Sequence, residues 1–215
     1  MAIDEEKVDD GILNRKKWDE TFPKILFLFK EATKSSGWTK IAGVPIDTTK
    51  GDNWRFWPNV LLWKHAMYGA FNEQRVPPYP LLEDTKEHRT NKGILNEIAY
   101  VNFNKKLGES RSDNGSIARI ASENRNDLST QIDSIRPTVV YCCRTNFNAY
   151  QAIYPDAKIE KLAQDIYVHN QRFIITFYHP SYWAIGRECF YQMLSDILSQ
   201  PAFISRLKIR ATSAA

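Results

Sequence analysis

Four stretches of the chain are apolar almost without interruption, and they constrain the fold more than any other feature: residues 24–29, 97–103, 138–143 and 172–178. A strand with one face in water alternates polar and apolar side chains, so unbroken apolar runs are typical of strands covered on both faces. Such strands form parallel sheets with helices on either side. The pattern therefore predicts an α/β fold, a three-layer αβα sandwich around a short, mainly parallel sheet of four strands.

The segments between these runs are long enough for the helical crossovers that parallel strands need. Pro58 stands near the start of one segment, as the first turn of a helix prefers, and Pro201 interrupts the last one. We expect helices in four regions: residues 57–71, 116–135, 146–153 and 187–209. The chain contains no internal repeat and no Gly- or Ser-rich linker. We therefore expect one domain over residues 21–215, preceded by an N-terminal surface extension over residues 1–20.

The composition excludes several classes of protein. Hydrophobic residues make up 43% of the chain, too many for a disordered protein, and no run of about 18 apolar residues could span a membrane. The acidic, polar first residues do not form a secretory signal, so we expect a cytoplasmic protein without a membrane partner. The net charge of +4 is compatible with binding nucleic acid without requiring it. Cys142, Cys143 and Cys189 lack the spacing of a zinc site or an iron–sulfur cluster, and we expect no metal and no other cofactor.

Polar side chains follow each of the predicted strands. In open parallel sheets, ligands bind just beyond the carboxyl ends of the strands. Four segments occupy this position: residues 30–33, 102–105, 144–146 and 179–181. They bring a carboxylate, an amide, a lysine and a histidine to one rim of the sheet, and an active site requires such a convergence.

His179 is the most informative of these residues. It ends a buried strand and precedes Pro180, which favours a rigid extended turn, so it could donate a hydrogen bond to charge that develops on a substrate. Glu31 could orient a water molecule, and Asn102 could read the edge of a base because an amide is both donor and acceptor. Lys105 could contact a phosphate. The structural alternatives are a histidine that fixes a loop, a salt bridge, an amide that caps a turn, and a solvated lysine.

Two groups of aromatic residues are candidates for contacts with a base or with DNA. Phe56, between Trp54 and Trp57, stands at the start of a predicted helix, where a ring could stack on a base or pack in the core. Tyr182 and Trp183 directly follow the His-Pro-Ser segment. They could form an exposed wedge or pack against the last helix, and the sequence leaves both alternatives open.

The order of these segments resembles the uracil-DNA glycosylase superfamily. The segments that carry the resemblance are residues 30–33, 101–105, 137–143 and 179–181. In the first, Glu31 and Ala32 match a Gly-Glu-Ala-Pro motif that follows the first strand of the family. The second has an Asn followed three residues later by a Lys, as in the motif that reads the base. The third is similar to the strand before the final motif, and the last segment is the His-Pro-Ser motif itself.

The resemblance implies a monofunctional DNA glycosylase that flips a base out of the duplex and hydrolyses its N-glycosidic bond, and we expect a monomer. It implies that His179 donates a hydrogen bond to the anionic oxygen of the leaving base. Glu31 would hold the attacking water or offset the charge of the oxocarbenium ion. Asn102 would recognise the edge of the base, and Phe56 could stack on its face. The residues that would contact DNA are Lys30, Lys105, Arg144, Ser181, Tyr182 and Trp183.

The chain also departs from the family pattern. Lys30 and Thr33 replace the glycine and the proline of the first motif, and Ala32 stands where other branches have an activating Asp. Tyr182 replaces a proline after His-Pro-Ser, and the cysteines of the iron–sulfur branch are missing. A reshaped pocket leaves uracil and a bulkier base, such as the hypermodified cytosines of some phage genomes, as alternative substrates, in repair or in defence. Two other classes stay open: a catalytically inactive module that binds DNA or a protein, and a nucleotide or nucleoside hydrolase of unrelated ancestry.

Overall fold

The computed structural model describes residues 10–33, 56–79, 97–108, 114–143, 146–180, 182 and 184–213. For residues 31–33, 56–58, 107–108, 114 and 210–213 it describes the backbone alone. In chain order, the elements of this part are β1 (Gly11–Ile12), α1 (Arg15–Glu20), β2 (Ile25–Thr33), α2 (Phe56–Glu73), β3 (Ile98–Gly108), α3 (Asn114–Glu123), α4 (Arg125–Ile135), β4 (Val139–Cys143), α5 (Phe147–Ile153), β5 (Glu160–Ala163), β6 (Ile166–His169), β7 (Arg172–Phe177), α6 (Arg187–Leu198) and α7 (Pro201–Ser213).

The strands of the described residues form one seven-stranded mixed sheet in the order β1-β3-β2-β4-β7-β6-β5. The central strands β3, β2, β4 and β7 are parallel, and they are the four strands that the sequence predicts. The α/β class is confirmed. The prediction of a short, mainly parallel sheet of four strands is wrong, because β1, β6 and β5 extend the sheet at its edges by antiparallel pairing. These edge strands have two to four residues and are largely half-exposed, so they leave no apolar run in the sequence.

The central strands are continuously apolar because their side chains enter two different cores. In β2, Ile25, Phe27 and Phe29 pack in one core, and Leu26 and Leu28 pack in the other. Helices α2, α6 and α7 cover the first face of the sheet, and α1, α3, α4 and α5 cover the second. Helices on both faces explain why the strands show no polar alternation.

The predicted helices are present, with one difference. Helix α2, helix α5 and the pair α6 and α7, which is interrupted before Pro201, confirm three of the four predicted regions. The region 116–135 consists of two helices, α3 and α4, with Asn124 between them. Helix α4 buries Leu128 and Ile132, which are four residues apart and therefore lie on one face of the helix.

The first described residues pack on the sheet. Strand β1 pairs with β3, and the side chain of Trp18 in α1 is buried. The indole Nε1 of Trp18 donates a hydrogen bond to the backbone oxygen of Ile135 over 3.2 Å. Residues 10–20, which the sequence analysis assigns to a surface extension, therefore contribute an edge strand and a buried tryptophan.

The order of the parallel strands determines where a ligand can bind. Strand β3 lies on one side of β2 and β4 lies on the other, so the chain changes its direction of travel across the sheet after β3. With this strand order, a crevice forms outside the carboxyl ends of β2 and β4. Lys30 lies near the carboxyl end of β2, and His179 follows β7, the neighbour of β4.

Candidate active site

His179 lies at the crevice that the strand order creates. It stands two residues beyond the end of β7, and its ring centroid is 5.8 Å from that of Phe29, in an edge-to-face arrangement. Phe29 is the last apolar residue of β2 before Lys30 and is itself buried. The contact brings the ends of β2 and β7 together across β4, as the sequence analysis predicts for the polar segments that follow these strands.

The surroundings of His179 keep its ring neutral near pH 7. Desolvation by the surrounding protein and, to a smaller extent, the positive charge of Lys30 lower the pKa of His179 from its usual 6.5 to about 4. The residue as a whole is nevertheless exposed to water. His179 is therefore desolvated by the protein around it and still accessible from the solvent.

The backbone around His179 is held by a series of hydrogen bonds. The hydroxyl of Tyr141 in β4 donates to the carbonyl oxygen of Tyr178 over 2.6 Å, and Nδ2 of Asn59 in α2 donates to that of Pro180 over 2.6 Å. The carbonyl oxygen of His179 itself accepts from the backbone N–H of Tyr182 over 2.9 Å. Sequence reasoning missed Asn59 and Tyr141. The one available signal was an amide inside the otherwise apolar start of helix α2.

Asn102 and Lys105 contact a partner that the sequence did not indicate. Asp10 accepts hydrogen bonds from the backbone N–H of Asn102 over 2.6 Å and from its Nδ2 over 3.3 Å. The ammonium group of Lys105 is 2.7 Å and 2.9 Å from the two carboxylate oxygens of Asp10 and 2.7 Å from Oε1 of Gln131. The three donors of the ammonium group thus face three acceptors. In this arrangement both residues stabilise the edge of the sheet, and the predicted contacts to a base and to a phosphate would have to displace these bonds.

The other predicted site residues are only partly described. Glu31 pairs with Asn104 in the register of β2 and β3, which puts its backbone at the same rim, but its side chain lies outside the described part. Phe56 is the first residue of α2, and only its backbone is described. Three predicted DNA contacts lie outside the described residues altogether: Arg144, Ser181 and Trp183.

Tyr182 combines the two alternatives that the sequence leaves open. Its ring centroid lies 5.2 Å from that of Tyr178 and 5.9 Å from that of Phe190 in α6, so it packs against the last helical region. It also keeps 40% of its surface exposed. Its backbone N–H donates to the carbonyl oxygen of His179, so the partly exposed residue is close to the histidine in space.

Two cavities among the described residues lie at the opposite end of the sheet. One of about 470 Å³ is lined by Lys24 and Arg136, which precede β2 and β4. Another of about 680 Å³ is lined by Tyr154 and Asp133. Asp133 accepts hydrogen bonds from Tyr154 over 3.0 Å and from Arg172 over 2.7 Å. Both cavities lie away from the crevice at the carboxyl ends, and Asp133 is paired with Tyr154 and Arg172, so we interpret this pairing as structural.

The described side chains do not form a metal centre, and the two cysteines of β4 are not available as nucleophiles. Within the described ranges, no group of three or more His, Cys, Asp or Glu residues is placed to hold a metal ion. Cys142 and Cys143 are buried in β4, and burial raises the pKa of Cys143 to about 12. A buried thiol with a raised pKa is a poor nucleophile. No helix of the described residues is both long enough and apolar enough to cross a bilayer.

No model of a known protein family matches the chain, and no curated protein matches it either. The function is therefore inferred from the rim of the sheet and from the motifs that lie there.

Proposed function

We propose that the protein is a monofunctional DNA glycosylase that hydrolyses the N-glycosidic bond of a flipped base. The base would be uracil or a modified base such as a hypermodified phage cytosine, in DNA repair or in defence against phage. The observation that carries the proposal is the position of His179. It is a neutral imidazole on a solvent-accessible residue, just beyond a parallel strand and beside the end of β2.

The chemistry of base excision fits a neutral histidine. When the bond between C1′ and the base nitrogen breaks, the electron pair leaves with the base, and negative charge collects on a base oxygen. A neutral imidazole keeps one N–H that can donate to this oxygen, and one such donor contributes about 3 to 4 kcal/mol of transition-state stabilisation. Water then adds to C1′ and the departing base takes up a proton. Glu31, whose backbone lies at the same rim, is our candidate for holding that water.

Lys30 has a second effect in this proposal. Its positive charge lowers the pKa of His179, so it helps to keep the histidine neutral. The same charge would attract the phosphates of DNA and stabilise the anionic base that leaves. The replacement of the glycine of the family motif by Lys30 is therefore compatible with catalysis, although it changes the backbone freedom at this point.

The bonds of Asn102 and Lys105 to Asp10 favour a second candidate, a catalytically inactive module that recognises DNA or a protein. If both residues only stabilise the edge of the sheet, two of the expected contacts to the flipped nucleotide are missing. The two candidates differ in a simple way. A glycosylase breaks the bond to one base, whereas a recognition module binds without changing the DNA.

The test is a panel of duplex and single-stranded oligonucleotides that each carry one modified base. Each is incubated with the protein and then treated with alkali, which cleaves the strand at an abasic site. We expect cleavage at one type of base in the wild type, its loss in His179→Gln, and its retention in His65→Gln. His65 is a matched control because it is an exposed histidine on α2, outside the proposed site. No cleavage across the panel, with DNA binding retained, would overturn the glycosylase proposal and support the recognition module.

A further inference from the structure

Three consecutive backbone carbonyls around His179 each accept a hydrogen bond. The carbonyl of Tyr178 accepts from Tyr141, that of His179 from the backbone N–H of Tyr182, and that of Pro180 from Asn59. Two of these donors are side chains of other elements, β4 and α2. The backbone that carries the histidine is therefore fixed both by a strand of the sheet and by a helix that packs on it.

Both side-chain donors are rigid. Tyr141 is fully buried, and its ring stacks on that of Trp63 with a centroid distance of 5.0 Å and an interplanar angle of 19°. The ring of Phe27 lies 5.1 Å from Tyr141 on the same face of the sheet. Asn59 is 2% exposed. Because a close-packed interior leaves these side chains little freedom, they hold the carbonyls at fixed positions.

Among the described residues, only one of the two polar atoms of the Asn59 side chain has a hydrogen-bond partner. Its Nδ2 donates to Pro180, whereas its Oδ1 is buried and meets no hydrogen-bond donor in the part of the chain that the structure describes. A buried acceptor without a partner destabilises the folded state, and an apolar side chain of similar size, such as leucine, would avoid that penalty. The amide therefore has a use that packing does not supply, and the hydrogen bond that it makes within the described ranges is to the segment that carries His179.

We infer that Asn59 and Tyr141 are positioning residues that hold the imidazole of His179 at the place where it meets its ligand. The backbone from Tyr178 to Pro180 carries the ring, so its position depends on that backbone as well as on its contact with Phe29. A catalytic group that is misplaced by about 1 Å can lose about a hundredfold in rate. The inference rests on the proposed glycosylase function, which it deepens by naming the residues that set the geometry of the donor.

The test compares three variants. Tyr141→Phe removes one oxygen atom and leaves the ring packing in place, and Asn59→Leu removes the amide. Tyr191→Phe is the matched control, since the hydroxyl of Tyr191 also donates to a backbone carbonyl, that of Pro77, over 2.9 Å. That bond ties α6 to the segment after α2 and does not involve the carbonyls around His179. Tyr141→Phe and the control therefore each lose one hydrogen bond from a tyrosine hydroxyl to a backbone carbonyl.

Two measurements are made on each variant. The first is the NMR shift of the ring protons of His179, assigned from the spectrum of His179→Gln; these protons sense the ring current of Phe29, 5.8 Å away. The second is the single-turnover rate at saturating DNA together with the Kd for DNA. We expect displaced His179 signals and a rate at least about tenfold lower in the first two variants, with the Kd within about twofold. The control should match the wild type in both measurements.

The outcomes separate this inference from the proposed function. Unchanged His179 signals in Tyr141→Phe would overturn the positioning role, and so would an equal displacement in Tyr191→Phe. If the signals move but the wild type cleaves no base, the glycosylase proposal fails while the positioning role is supported. If the signals move and the rate does not fall, the positions of the carbonyls do not matter for catalysis and the inference is overturned. Tyr141→Phe alone suffices for each of these comparisons should Asn59→Leu fail to fold.

Discussion

Lowering the pH should reduce the free energy of unfolding through the protonation of His179, and the substitution His179→Gln should abolish this part of the pH dependence. The pKa of His179 is about 4 in the folded chain, against a usual 6.5. Between these two values the unfolded chain binds a proton that the folded chain does not, so the free energy of unfolding falls as the pH is lowered through this window. Above the window neither state is protonated at this residue, and below it both are. His179→Gln has no such proton to bind.

The magnitude follows from the two pKa values. The difference between 6.5 and about 4 corresponds to roughly 3 kcal/mol at about 1.36 kcal/mol for each pKa unit. Because the ring is exposed, water screens part of this interaction, and we expect about 1 to 2 kcal/mol. In Lys30→Gln the loss of stability on acidification should be only slightly smaller than in the wild type, since the charge of Lys30 is the lesser of the two causes of the lowered pKa.

The assay is urea unfolding of the wild type and of His179→Gln at about pH 7 and at about pH 4, with the same ionic strength. Carboxylates and the other histidines titrate in both proteins, so their effects cancel in the comparison. The wild type should lose about 1 to 2 kcal/mol more than the variant on acidification. An equal loss in both proteins would show that His179 titrates normally, and the proposal of a neutral donor held in a desolvated crevice would lose its electrostatic basis.

Two other predictions concern the interior. Lys64 is buried, and its ammonium group lies 2.6 Å from a carboxylate oxygen of Glu97. Burial lowers the pKa of Lys64, whereas the negative charge of Glu97 raises it. Glu97→Gln leaves the buried ammonium group without its counter-charge and should destabilise the protein by about 3 kcal/mol at pH 7. That deficit in urea unfolding should shrink toward pH 10 as Lys64 loses its proton, and an equal deficit at both pH values would contradict the reasoning. A thiol reagent at pH 8 should modify Cys189, which is exposed, and spare Cys142 and Cys143 until urea is added. Modification of more than one thiol in the folded protein would show that β4 is not buried as described.

The parallel centre of the sheet could be predicted because burial on both faces leaves a direct trace in the sequence. Leu26 and Phe27 are neighbours that pack in different cores, so both must be apolar. The edge strands leave no such trace. Strand β5 carries Glu160 and Lys161, which are exposed, and its pairing with β6 depends on a hairpin rather than on an apolar pattern. Short, half-exposed strands of this kind are set by tertiary pairing.

The position of His179 could be predicted because it depends on local features, the end of an apolar run and the proline that follows. The hydrogen bonds that hold it could not. Asn59 is 121 residues from Pro180 in the chain, and Tyr141 lies in a run whose apolar character indicates only core packing. The same limit applies to Asn102, whose partner Asp10 is 92 residues away. Such pairs arise only when the sheet order brings distant segments together.

The carboxylate of Asp10 also links the start of the described chain to the rim of the sheet. It accepts hydrogen bonds from the backbone and the side-chain amide of Asn102 and pairs with the ammonium group of Lys105, so the N-terminal segment occupies two polar side chains of β3. A shortened protein that begins after Asp10 would release an amide and a positive charge at the edge of the crevice. Under the proposed function we expect it to bind DNA more tightly than the 215-residue chain, because Asp10 would no longer neutralise Lys105.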